Sequence, residues 1–289
     1  MRKVWIVGCG DIGCRVADLY KQSASDGLVP IRGIVRSGAS KQRCENLGVD
    51  SFQCDLARDM TFPAEQFTQA DVYYFAPPPA VGTEDTTLQH FLANLTKHLP
   101  RRIVLISTTG VYGDSQGEWI DESSALNPVA DRAKRRYFAE QLLQSWAEKY
   151  ATEYIILRVP GIYARDRLPL ARLQKGLPVV KESEAGFTNR IHADDLAQVA
   201  RAAMHTPLKN QIYNVTDGNP STMTDYFNQV ADFAGLPRPP QISMRQAERT
   251  LSAGMVSYLK ESRRIKNNKM MNELGIILQY PTIQSALRG

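Results

Sequence analysis

The feature that most constrains this chain is the run Gly8-Cys9-Gly10-Asp11-Ile12-Gly13, which follows the apolar segment Val4–Val7 and opens a stretch of helical periodicity reaching Gln22. Each glycine has a physical reason in a strand–turn–helix unit. One permits a tight turn, one lets backbone N–H groups approach a pyrophosphate, and one allows close helix–strand packing. A glycine-rich turn alone is common, and the strand before it and helix after it give the motif its weight. Gly8, Gly10, Asp11, Ile12 and Gly13 are therefore predicted to cradle the diphosphate of a dinucleotide.

Short β-branched runs continue at Ile31–Val35, Ser51–Gln53, Val72–Phe75, Ile103–Ile106 and Tyr154–Leu157. Helical spacing separates several of them, at Lys41–Leu47, Leu88–Leu99 and Val129–Tyr150. The last of these carries Phe138, Leu142, Trp146 and Tyr150 on one stripe. Prolines 77 to 79 stop the fourth run, leaving Ala76 and Pro77 as expected cofactor contacts. Strands alternating with helices imply an α/β fold, a Rossmann-type doubly wound parallel sheet covered on both faces. Residues 1–160 are expected to form this dinucleotide domain. Beyond Pro160 the alternation breaks up, with helices expected at Leu168–Lys175, Asp194–Met204 and Thr222–Ala234 and a strand at Ile212–Val215. Residues 161–289 are expected to be a smaller substrate lobe, with 191–215 returning to the first domain.

The 289 residues carry a formal charge of +5, densest at Arg132–Arg136 and Lys260–Lys269. No basic run is interleaved with aromatics, so nucleic acid is not an expected partner. A small anionic ligand suits this balance, and the Lys260–Lys269 run reads as a solvated face. The four cysteines form no CxxC pair and the four histidines no HExxH spacing, so no metal site is expected. Cys9 and Cys14 read as small buried hydrophobes. Reduced thiols, with no signal segment and no membrane span, predict a cytoplasmic location.

Cofactor choice is read at the end of the second run. An acidic residue there would accept from the adenosine ribose of NAD(H). This chain has Arg36-Ser37 instead. A guanidinium and a hydroxyl suit a 2′-phosphate, so NADP(H) is favoured and NAD(H) remains possible. Asp55 either receives the adenine amino group or caps a helix.

These residues, with Ser107-Thr108-Thr109-Gly110-Val111-Tyr112-Gly113, resemble the extended short-chain dehydrogenase/reductases, the group that holds the NAD-dependent epimerases and dehydratases of nucleotide sugars. The likeness continues through Leu157–Tyr163, Arg190–Ala197 and Ile212–Val215. It implies a substrate cleft between the two lobes. It also implies a Tyr-x-x-x-Lys pair ahead of Ala139-Glu140, and those positions hold Arg132 and Arg136. Arginine stays protonated and does not serve as a general acid or base at neutral pH. It can hold an anion, and residues four apart share a helix face, so Arg132 and Arg136 are substrate-binding candidates unless they are a surface pair. Tyr163 and Arg190 join them. Thr108 and Thr109, where the family keeps its Ser/Thr, and Tyr112 are the catalytic candidates. His192 reads as scaffolding before Asp194, an expected helix N-cap.

The expected function is an NADP(H)-dependent oxidoreductase-like enzyme acting on a small anionic substrate at a non-standard site, as a monomer or homodimer. A non-catalytic NADP(H) sensor is the first alternative. A nucleotide-sugar epimerase or dehydratase is the second.

Overall fold

The computed structural model describes residues 3–23, 29–58 and 62–288. Seven strands form one parallel sheet: β1 (Val4–Val7), β2 (Ile31–Val35), β3 (Asp50–Gln53), β4 (Asp71–Tyr74), β5 (Arg102–Thr108), β6 (Glu153–Val159) and β7 (Gln211–Asn214). Across the sheet they run β7-β6-β5-β4-β1-β2-β3, with Val4 in register with Ile31 on one side and Asp71 on the other. The order reverses at β1, which leaves a crevice beyond its carboxyl end, where open α/β sheets bind ligands. The expected doubly wound sheet is present.

Successive strand residues face opposite sides, and the two faces carry separate cores. Val4 and Ile6 join Tyr73, Val104, Ile155 and Leu157 on one face. Trp5 and Val7 join Val72, Tyr74, Ile103, Leu105 and Ile156 on the other. Helices α1 (Asp11–Gln22) and α5 (Ala193–His205) pack against each other on the first face. Helices α3 (Thr86–Asn94) and α4 (Asp131–Tyr150) cover the second, while α2 (Gly38–Asn46) flanks β3. A third core gathers Tyr163, Leu173, Val179, Val230, Ile283 and Leu287 around α6 (Met223–Ala234).

Three expectations need correction. Helix α3 ends at Asn94 rather than Leu99, with Leu95 as C-cap bonding back to the Leu92 carbonyl. The buried stripe of α4 is Ala139, Leu143, Trp146 and Ala147 beside Glu140, while Phe138, Leu142 and Tyr150 are half-buried. Small alanines let that helix sit close to the sheet, and its one buried carboxylate meets Arg158 of β6. Finally, the cap of α5 is His192, whose ring accepts from the Asp194 amide, while Asp194 itself pairs with Arg15.

Candidate functional site

The glycine loop joins β1 to α1. Gly8 has φ +84, and a Cβ there would stand 2.4 Å from the Ala76 nitrogen, so the close approach of the β4 terminus requires glycine. A Cβ on Gly13 would meet Ile6 at 2.8 Å, which is the helix–strand contact. Around Gly10 the space is open, its nearest atom being a carbonyl oxygen at 3.9 Å. Helix α1 starts at Asp11 with no side chain capping it, so its first amides are left for an incoming anion.

From this loop a cavity of about 710 Å³ runs past the ends of β2, β3 and β4. Gly8, Gly10, Arg36, Ser37, Asp55, Ala76 and Pro77 all line it; Asp11, Ile12 and Gly13 lie behind it. The Asp11 carboxylate is engaged by Arg15 at 3.2 Å and Arg167 at 2.7 Å. Ser37 caps α2, accepting from the Ser40 amide at 3.3 Å. Asp55 accepts from the Ala57 amide at 3.1 Å, and Arg58 stands 3.9 Å away. Asp55 thus closes a turn with no helix directly after it among the described residues, and Arg58 is a second cation at the cavity that sequence reasoning missed.

A smaller cavity of about 190 Å³ lies between the end of β5 and the carboxyl-terminal half. Thr108, Thr109 and Gly110 form one wall, and Arg132 with Ala133 at the start of α4 forms another. Asn189, Tyr258, Glu261 and Arg263 close it from the opposite side. Arg132 donates to the Ser257 hydroxyl at 3.0 Å and lies over the Tyr258 ring, 6.0 Å from its centroid. It thereby ties α4 to α7 (Ala253–Leu259) across the cleft. Arg263 donates to the Gly113 carbonyl at 2.6 Å and to Glu261 at 2.7 Å. Asn189 donates to the Arg263 carbonyl at 3.0 Å and accepts from the Ile265 amide at 3.0 Å.

Tyr258, Glu261, Arg263 and Asn189 were not singled out from sequence. The basic segment that holds Arg263 was read as a solvated face, yet this side chain is buried. Its alternation with Glu261 was the one available signal.

The remaining candidates are placed elsewhere. Arg136 does not line the small cavity; it is largely buried 3.8 Å from Asp85, and burial lowers its proton affinity. Asp85 is fully buried, and burial pushes its carboxyl up. Tyr112 donates to Asn214 at 2.8 Å and accepts from Arg158 at 2.9 Å. Arg158 in turn pairs with Glu140 at 2.8 Å, and burial pushes the Tyr112 phenol up. Tyr163 donates to the Thr282 carbonyl at 3.3 Å, also with a raised phenol from burial. Arg190 is spent on Ser221 and Thr188, both at 2.9 Å, and stacks 4.5 Å from the Tyr226 centroid. Among the described residues no helix is long and apolar enough to cross a membrane. The sulfurs of Cys9, Cys14 and Cys44 converge behind the glycine loop.

Comparison with known proteins agrees with this architecture. The model of the NAD dependent epimerase/dehydratase family matches residues 74–216. Protein YeeZ of Escherichia coli (strain K12) is 26% identical, with 97% of each chain covered. The solved structure of a functionally unknown conserved protein from Silicibacter pomeroyi DSS has a TM-score of 0.86 at 26% identity, covering 100% of this chain and 97% of that one. UDP-glucuronic acid 4-epimerase from Bacillus cereus, solved in complex with NAD, shares the fold with a TM-score of 0.78 at 15% identity, over 99% and 96% of the two chains.

Proposed function

We propose that this chain, whose residues 74–216 match the model of the NAD dependent epimerase/dehydratase family, is an NADP(H)-dependent oxidoreductase acting on a small anionic carbonyl or alcohol. The observation that carries this reading is the pairing of two cavities. The larger has a glycine cradle at one end and the cations Arg36 and Arg58 along its wall. The smaller, bounded by Arg132, Arg263 and two threonines, is about 190 Å³. That lies below the roughly 300–1,000 Å³ usual for drug-sized ligands, which favours a compact substrate over a nucleotide sugar.

The cradle fits a dinucleotide diphosphate, because a cradle closed by glycines and opening on uncapped amides favours an anion. Bound there, the nicotinamide would supply hydride chemistry. The chain's own part is to hold and neutralise. Arg36 and Ser37 receive the 2′-phosphate, Thr108 and Thr109 hydrogen-bond the substrate oxygen, and Arg132 with Arg263 offsets its negative charge. In this reading Arg132 and Arg136 stand where the resemblance implies the family's tyrosine and lysine. The phenol that lines the cleft is Tyr258 on α7, and it exchanges the substrate proton in this reading.

The test is calorimetry with the four nicotinamide dinucleotides, followed by NADPH oxidation against a panel of small 2-oxo acids. NADPH is expected to bind at least tenfold more tightly than NADH, and Arg36→Ala to remove most of that preference. An unchanged NADP/NAD affinity ratio in the variant sinks the assignment of Arg36. Tight NADPH binding with no turnover on any carbonyl would favour the sensor reading instead.

A further inference from the structure

Three of the four cysteines come from three separate elements and meet at one point. Cys9 lies in the glycine loop, Cys14 in α1, and Cys44 in α2, 35 positions after Cys9. Their sulfurs all lie within 4.8 Å of one another, all three are buried, and none is in a disulfide. The plain alternative is three small apolar side chains filling a core, since Cys44 and its neighbours do belong to one sheet face.

The polar contacts of the cluster argue for more. Cys44 donates toward the Cys9 carbonyl at 3.6 Å. Hydrogen bonding from Cys9 lowers Cys14 to about 7, while the same contact pushes Cys9 up. Arg43, next to Cys44 in sequence, favours the anionic form of both Cys14 and Cys44. The thiolate is the coordinating species, so what points to a metal is the meeting of three buried sulfurs from three elements.

Geometry narrows the ion. Three sulfurs about 2.3 Å from a common centre stand roughly 4.0 Å apart in a trigonal plane. The three sulfurs, all within 4.8 Å of one another, are compatible with that spacing. Among the described residues no fourth cysteine, histidine or carboxylate joins the group, so a closed tetrahedral zinc site is not completed. Soft sulfur ligands without a hard fourth partner select a soft ion such as Cu(I). Cys14, 8% exposed, gives the cluster its contact with solvent.

We propose that Cys9, Cys14 and Cys44 form a three-sulfur site for a soft monovalent metal ion, with Cu(I) as its representative. The sequence expectation of no metal site came from pairwise spacing motifs, and such motifs do not detect ligands contributed by three elements. On binding, each coordinating thiol exchanges its S–H bond for a metal–sulfur bond and releases the proton to solvent, with no change in oxidation state.

The test is an anaerobic titration of the reduced full-length chain with Cu(I), buffered by a competing chromogenic chelator. One equivalent is expected to bind against the chelator. Cys9→Ser, Cys14→Ser and Cys44→Ser should each weaken binding at least tenfold, and Cys54→Ser, whose sulfur is outside the group, should leave it unchanged. X-ray absorption on the unmutated protein covers the case in which a variant folds poorly, and it should show three sulfurs at about 2.3 Å. The proposal is overturned by an absence of binding at one equivalent, by a shell of fewer than three sulfurs, or by affinity lost only with Cys54→Ser.

Discussion

The dinucleotide-sized cavity and the smaller one beside β5 are built in opposite ways. The larger takes most of its wall from the ends of β1, β2, β3 and β4 and the turns that directly follow them, so most contributing residues sit close to a strand visible in the sequence. The smaller takes residues from β5, α4 and α7 and from the segments around positions 161, 188 and 263. Backbone geometry dominates the first, through a positive φ at Gly8 and the uncapped start of α1. Side chains dominate the second, through Arg132 bonded across to Ser257 and Arg263 bonded to Glu261 and Gly113. A site made of backbone tolerates little change in residue type at a few positions. A site made of side chains from many elements can exchange its chemistry while the fold stays the same.

The largest effect expected from this contrast is at Gly8. A methyl there would collide with the Ala76 backbone at 2.4 Å and hold a non-glycine residue at φ +84. Such backbone strain alone costs about 1–3 kcal/mol, and relieving it moves the loop. Gly8→Ala is expected to lower dinucleotide affinity at least a hundredfold by calorimetry. Affinity within a few-fold of the unmutated chain would mean that the loop does not cradle the diphosphate. Gly10→Ala should be milder, since open space surrounds that position.

The next effect sharpens the other side of the comparison. If Tyr258 exchanges the substrate proton, Tyr258→Phe should reduce kcat by about 10²-fold or more, the usual size of a general-acid contribution. NADPH affinity should stay put, because Tyr258 does not line the larger cavity. A loss confined to KM would reduce Tyr258 to a wall of the cleft.

The same contrast explains what was legible in the sequence. The seven-stranded sheet, the glycine loop and the Arg36–Ser37 position were readable because strand period, turn chemistry and chain order carry them locally. Strand and helix ends were read less well: α3 stops where Leu95 takes a tighter C-cap bond, which hydrophobic spacing does not encode. Four candidates, Arg136, Tyr112, Tyr163 and Arg190, are engaged with partners distant in sequence, and no local pattern announces Asp85, Asn214, Thr282 or Ser221 as those partners. Tyr258 and Arg263 were missed for the converse reason. Their elements are short, and what brings them to Thr108 and Thr109 is the packing of the whole carboxyl-terminal half.

The smallest effect concerns how that half bears a buried charge. Asp217 is buried, and burial, outweighing its bond from the Asn219 amide at 2.9 Å, pushes its carboxyl up to about 7. A carboxyl with a higher pKa folded than unfolded binds its proton more tightly in the native state. Its ionisation therefore removes stability as pH rises from the unfolded value near 4 towards 7, and the loss is complete above that. Asp217→Asn keeps an oxygen for the Asn219 amide and has no charge to bury. The variant should match the unmutated chain near pH 4 and become the more stable of the two between pH 5 and pH 8, read as a widening gap in urea midpoints. A gap that stays flat across that range would show that Asp217 is ionised throughout at no cost. The carboxyl-terminal half would then hold its charges as easily as the solvent-facing larger cavity does.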